Sequence, residues 1–496
     1  DEREPDPPPE VVPAVHPGPG RHVRRSRTGP AWRGVHAVGV VGALLGVGAL
    51  QLTGRERHAG AQVAATPSRS AAAALPKAYA RPTLAATSPA GSAAPPSSSA
   101  SPAATVDAAL VAERSAAIKA VLAKHAAALL HRDLAAWTAT LDPANPTYRK
   151  AQVAVFANTA DVPFASYFYD VADSDVADAS VPRPGQLLVP VTLRYALRGF
   201  DPQPTALREY LTFVTADSGW RLAGDTDGAA QGLVSARDLW DFGPVVAVHG
   251  QRSLVLAHPG AVDLAHTLTT AADAAVPRVT AFWGAGWARR VVILVPGSQD
   301  ELRQIVGTKQ DLSQIAALAT AEIGSAPGSA GAVGDRIAIN PTTFGTLGSL
   351  GRRVVMTHEV THVASRAVTG ADSPTWLVEG LADYVGFKGT STSLRFDASE
   401  LARQVDAGHV PTALPSSSDF AHAGATLSLD YEEAWMACKF IVSRTSEATL
   451  IRFYQQVGTA KGSPAVALKA AFAQVLHTDQ ATFTASWRSY VKASLR

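Results

Sequence analysis

His358-Glu359-Val360-Thr361-His362, followed by Trp376-Leu377-Val378-Glu379-Gly380-Leu381-Ala382-Asp383-Tyr384, is the stretch whose reading decides the second half of this chain. Histidines at i and i+4 lie one turn apart on one face of a helix, so both imidazoles can reach a single metal ion. Glu359 sits between them, close enough to act on water at the metal without being a ligand. A catalytic zinc takes a third protein ligand from elsewhere and keeps its fourth position open for water and substrate. Glu379, on a separate segment, is the candidate third ligand.

The surroundings of the motif favour that reading. Leu350, Val354, Val355, Val360, Val363 and Ala364 recur at helical spacing and give a helix with an apolar face, which beds the histidines beside a core. Ser373-Pro374 has the form of an N-cap followed by proline at the first helical position, so a second helix carrying Glu379 is expected. Asp383 lies four residues after Glu379, on the same face. It can accept the outer N–H of a ligating histidine and fix its tautomer. The competing reading is an ordinary pair of amphipathic helices with solvated acids and a satisfied core histidine.

These residues resemble the gluzincin metallopeptidases, in particular bacterial peptidase MA-like proteins, and are similar to the catalytic region of zinc aminopeptidases. The tight match covers about thirty residues. The resemblance implies a zinc ion held by His358, His362 and Glu379, with Glu359 as general base and then proton donor. It also implies an oxyanion donor in Tyr431, which opens a later helix at Tyr431-Glu432-Glu433-Ala434; a core tyrosine is the alternative. His409 and His422, in polar loops, are further possible donors. The aminopeptidases' Gly-x-Met-Glu-Asn segment, which anchors a free amino group, has no counterpart in Gly334-Asp335-Arg336-Ile337-Ala338-Ile339-Asn340. An endopeptidase, or an enzyme of other specificity, fits better. In zinc peptidases a strand beside the motif helix offers its edge to an extended peptide, and residues 337–339 are placed there by order along the chain.

Outward from the motif, residues 238–496 read as one unit. Short strands at 245–249, 253–257, 290–295 and 336–340 alternate with helices, and the remainder is helical. Residues 105–237 read as helices at 106–130 and 133–141, then strands at 164–171, 186–197, 206–216 and 220–222, with Asp217-Ser218-Gly219 as a hairpin turn. Helices followed by an antiparallel meander resemble the cone-shaped α+β fold of the nuclear transport factor and SnoaL-like group. No chemical motif accompanies that resemblance, and an accessory or positioning role is the expectation. The fold class is therefore α+β throughout.

The N-terminal region reads differently. Arg21, Arg24, Arg25, Arg27 and Arg33 precede an uncharged apolar run from Val35 to Leu52. At helical rise that run spans about 27 Å, close to a bilayer's hydrocarbon core. The basic flank places a tail of residues 1–34 in the cytoplasm and the catalytic unit outside a bacterial-type cell membrane. A cleaved signal peptide is the rival, because Ala59-Gly60-Ala61 has the form of a cleavage site, but Arg55, Glu56, Arg57 and His58 intervene. Residues 53–104 carry an Ala, Ser, Pro and Thr tract with little to bury, and read as a disordered stalk.

Composition narrows the function classes. The 496 residues carry 44 basic and 42 acidic side chains, a net charge of +2, which points away from a nucleic-acid partner. One cysteine, Cys438, excludes an intramolecular disulfide and falls in an apolar helical pattern. No Gly-x-Ser-x-Gly elbow or phosphate-binding glycine loop occurs. The expected partners are a peptide or protein substrate and, through one helix, a lipid bilayer. A catalytically silent cell-surface binding protein and a zinc hydrolase of a non-peptide bond are the alternatives.

Overall fold

A computed structural model describes residues 108–496 apart from 217–218, 310, 324–331, 371, 422–423, 425 and 461. The expected tail, membrane span and stalk (1–34, 35–52 and 53–104) lie outside the described residues. Among the described residues no helix is long and apolar enough to cross a membrane.

The chain begins with α1 (Ala108–Leu130), which buries Ile118, Val121, Leu122, Ala126 and Leu129 at helical spacing. Next come α2 (Leu134–Ala139), whose N-cap Asp133 accepts from the Ala136 N–H, and α3 (Pro146–Asn158), capped by Asn145. The helix α3 goes beyond the expectation from pattern, because only Tyr148 and Phe156 of its thirteen residues are buried. The strands β1 (Phe164–Asp170), β2 (Gln186–Leu197), β3 (Thr205–Ala216) and β4 (Gly219–Gly224) form an antiparallel meander in that order, with the short α4 (Asp173–Ala177) between β1 and β2. These strands fall where alternation placed them, within a residue or two.

A second sheet follows, built from β5 (Val246–His249), β6 (Ser253–Ala257), β7 (Val291–Val295), β8 (Ala317–Ile323) and β9 (Ala332–Ile339), in the order β5-β6-β7-β9-β8. The helix α5 (Val262–Trp283) connects β6 to β7, and α6 (Gln299–Val306) follows β7. The pairs β6–β7 and β7–β9 are parallel; the two outer pairs are antiparallel. This sheet is covered on both faces, which explains the unbroken apolar run of Val291–Val295. Leu254, Leu256, Val292 and Leu294 enter the same core as the meander and α1, while Val255, Ala257, Val291, Ile293 and Val295 enter the core beneath α5 and the later helices. The period-two alternation of β6 and β7 thus joins the two halves of the chain.

After β9 the chain is helical: α7 (Pro341–Gly345), α8 (Ser349–Ser365), α9 (Thr375–Phe387), α10 (Leu394–Asp397), α11 (Ser399–Asp406), α12 (Leu427–Arg444), α13 (Glu447–Thr459), α14 (Pro464–Val475) and α15 (Gln480–Ser494). Mixed helix and strand, with the sheets early and helices late, agrees with the α+β expectation at that level.

Two local expectations are corrected. Residues 337–339 lie in β9, which pairs on both sides, so they are not the sheet's edge; the edge beside α8 is β8. Its alanine-rich sequence carries no strand pattern, and only pairing with β9 makes it extended. Ser373 is not the N-cap of α9 either. Its hydroxyl accepts from Gly370 N–H, the helix begins one residue later, and the free N–H of Thr375 is met by Ser417 Oγ at 3.3 Å.

Candidate metal centre

The helix α8 is buried all round from Val354 to Ser365, so its polar residues must be satisfied inside the protein. Thr357 and Thr361 turn their hydroxyls back onto the carbonyls of Arg353 and Thr357. That internal satisfaction leaves His358, Glu359 and His362 as the groups that need partners from other elements. The helix α9 crosses α8 and supplies two of them, Glu379 and Asp383.

Three ligand atoms converge. His358 Nε2 and His362 Nε2 stand 2.9 Å apart, and Glu379 Oε2 lies 3.3 Å from each. Neither Glu379 oxygen makes a well-formed hydrogen bond, although the residue is fully buried. Ligands held at about 2.0 Å by a tetrahedral zinc are roughly 3.3 Å from one another, so the triangle has the dimensions of one face of such a site. Asp383 Oδ1 lies 2.7 Å from His358 Nδ1. When the imidazole is neutral, as a metal ligand must be, a proton on Nδ1 faces this carboxylate and leaves the Nε2 lone pair toward the centre. Two imidazole nitrogens and an orphaned carboxylate facing one point fit a cation between them.

Glu359 is wholly buried, and neither of its oxygens has a well-formed hydrogen bond. Burial pushes its carboxyl up to about 8, against the pull of His358, Arg366 and the Ala319 N–H toward the ionised form. Burial alone would depress His358, but the neighbouring Asp383, Glu379 and Glu359 carboxylates hold it well above the ordinary imidazole value. His362 is lowered by burial, which Glu379 only partly offsets. Asp383 is raised by burial, with His358 opposing. Burial works against ionised Glu379 as well, yet the two imidazoles keep it below the usual carboxylate range.

Tyr431, at 4% exposure, stands with its ring centroid 6.5 Å from that of His358 and packs edge-on against Phe420. Its hydroxyl has no hydrogen-bond partner among the described residues, and burial together with Glu379, Asp383 and Glu359 keeps it protonated. The structure thus brings together His358, Glu359, His362, Glu379, Asp383 and Tyr431. His409 is exposed, close to Gln404 after α11, and His422 lies outside the described residues.

One charged neighbour escapes a motif search. Arg366 lies between Asp335 of β9 and the Ala319 carbonyl of β8. A helical wheel carries the signal, because Arg366 continues the His358, His362 series at steps of four. A cleft of about 630 Å³ between α1, α2 and β4 is lined largely by alanines, with Lys124, His131 and Arg221 among its polar residues.

No family model matches the sequence, and no curated protein matches it at a significant level.

Proposed function

We propose that this chain is a zinc-dependent peptidase of gluzincin type. The observation that supports this reading best is the convergence of His358 Nε2, His362 Nε2 and Glu379 Oε2 beside the unpaired carboxylate of Glu359. His358, His362 and Glu379 would hold the ion. Zinc bound there supplies Lewis acidity, polarising the scissile carbonyl and lowering the pKa of water toward about 7.

The remaining work belongs to the protein's own groups. Glu359, in its ionised form, takes the proton of the attacking water and delivers it to the departing amine. Tyr431, a neutral donor at the edge of the site, gives its hydroxyl hydrogen to the developing oxyanion. Asp383 keeps His358 in the Nδ1–H tautomer. The edge of β8, apart from the Ala319 carbonyl that Arg366 holds, offers an extended peptide its backbone. The proposal includes the membrane anchor at Val35 to Leu52, which carries the catalytic unit on the outer side of the membrane.

The buried, unpaired Glu359 weighs against a silent binding protein, since a fold kept only for binding has no use for so costly a carboxylate. The test combines elemental analysis with turnover on a peptide library. About one zinc per chain is expected, lost in His362→Ala and kept in Glu359→Gln, while Glu359→Gln lowers kcat by roughly 10²–10⁴-fold. Zinc bound with turnover unaltered in Glu359→Gln would refute the mechanism.

A further inference from the structure

The peptidase mechanism leaves Arg366 without a part, although its side chain is only 9% exposed. It follows α8 directly, four positions after His362. Its Nε donates to Asp335 Oδ1 at 3.1 Å, and an Nη donates to the Ala319 carbonyl at 3.0 Å. The ladder explains why that carbonyl is available. Ala319 stands opposite Ile337, and Leu318 opposite Ala338. Opposed pairs in an antiparallel ladder alternate between bonded and non-bonded. Asn340 N–H donates to the Ala316 carbonyl, which puts residues 316 and 318 on the bonded, inward phase. Ala319 therefore turns both its N–H and its carbonyl off the free edge of β8, toward α8.

We propose that Arg366 is a positioning residue of the site: it clamps the Ala319 segment of β8 and Asp335 of β9 against the end of α8, the helix that carries His358, Glu359 and His362. The proposal rests on the peptidase reading for its effect on turnover, but not for the clamp itself. The guanidinium suits this part because its planar fork bonds two acceptors in fixed directions, Asp335 on an interior strand and Ala319 on the edge. A lysine has the charge but not the fork. The clamp also occupies the Ala319 carbonyl, so an incoming strand cannot use that acceptor while Arg366 holds it.

The experiment uses the full chain as Arg366→Gln and Arg366→Lys, with zinc content, hydrogen exchange and peptide turnover read together. Zinc content is expected to match the wild type in both variants, because no ligand is touched. Exchange across residues 317–323 is expected to speed up at least tenfold in Arg366→Gln and less in Arg366→Lys. On a peptide substrate, kcat falls roughly 10–100-fold in Arg366→Gln with KM within twofold, and Arg366→Lys recovers part of it. Unchanged exchange in β8, or unchanged kcat in an enzyme whose turnover depends on Glu359, overturns the proposal. A wild type without Glu359-dependent turnover defeats the peptidase reading alone, and the exchange arm then decides the clamp. Should Arg366→Gln fail to fold, Arg366→Lys carries the same readouts: slowed kcat with faster β8 exchange supports the clamp, and wild-type values overturn it.

Discussion

Replacing Gly380 with alanine sets helix propensity against tertiary packing, and the two predict opposite signs. Gly380 lies inside α9, directly after Glu379. A Cβ there would fall 2.3 Å from the Ala434 carbonyl oxygen of α12, 2.7 Å from its carbon and 2.9 Å from Cys438 Sγ. Propensity alone favours alanine by about 1 kcal/mol. The contact is with backbone, so no rotamer change relieves it, and in a close-packed interior the two helices must part by roughly 1 Å. Overpacking of this kind costs about 3 kcal/mol. The net expectation is a destabilisation of about 2 kcal/mol, read as a lower urea midpoint at unchanged slope. Because α9 carries Glu379, a proposed zinc ligand, zinc affinity is expected to fall with it, by about tenfold. Gly386 on the same helix is the control: a Cβ there meets Val354 O at 3.1 Å and Val354 Cγ1 at 3.2 Å, so Gly386→Ala is expected to be much milder. A Gly380→Ala protein as stable as the wild type, with normal zinc affinity, would refute the reasoning.

Three further outcomes follow from the same geometry. Asp383→Asn removes the carboxylate 2.7 Å from His358 Nδ1 and is expected to weaken zinc binding about 10–100-fold by competitive chelation, with the fold retained. Asp201→Ala leaves the buried Arg336 without its two bonds of 2.8 and 2.7 Å, and costs about 3–5 kcal/mol in denaturant melts; the double replacement Asp201→Leu with Arg336→Met restores most of that. Burial, with Asp241 and Asp225 nearby, pushes the Glu209 carboxyl up to about 8 from an ordinary 4.5. The folded state therefore keeps a proton that the unfolded state has lost. Its contribution is full below pH 4.5 and disappears as pH rises through 8. Glu209→Gln is thus expected to match the wild type near pH 4 and to exceed it by about 1–3 kcal/mol near pH 9; equal stability at both would count against the argument.

The grouping of the candidate site's residues was legible because its parts are local. The spacing of His358 and His362 requires only a helix, and Glu379 with Asp383 requires only a second one. The meander's strands were legible because one face is buried, so alternation marks them. The edge strand was not, because Ala317 to Ile323 has neither alternation nor β-branched enrichment, and its extended form comes from pairing with β9. Ser373 shows the same limit at one residue: its hydroxyl had two possible backbone partners, and the turn at Gly370 took it.

By itself, then, the sequence determined which side chains could make up the proposed site: the imidazoles of His358 and His362, the carboxylates of Glu359 and Glu379, and Asp383. Residue type and helical periodicity are written in the chain, and nothing distant is needed to read them. Tertiary structure alone decided that the three candidate ligand atoms meet at 2.9 and 3.3 Å, that Tyr431 stands beside His358, and that Arg366 bonds the Ala319 carbonyl of β8. It also decided that the two halves share a core through Leu254, Leu256, Val292 and Leu294. These are contacts between residues far apart in the chain, set by how sheets and helices fill space, and no local pattern encodes them.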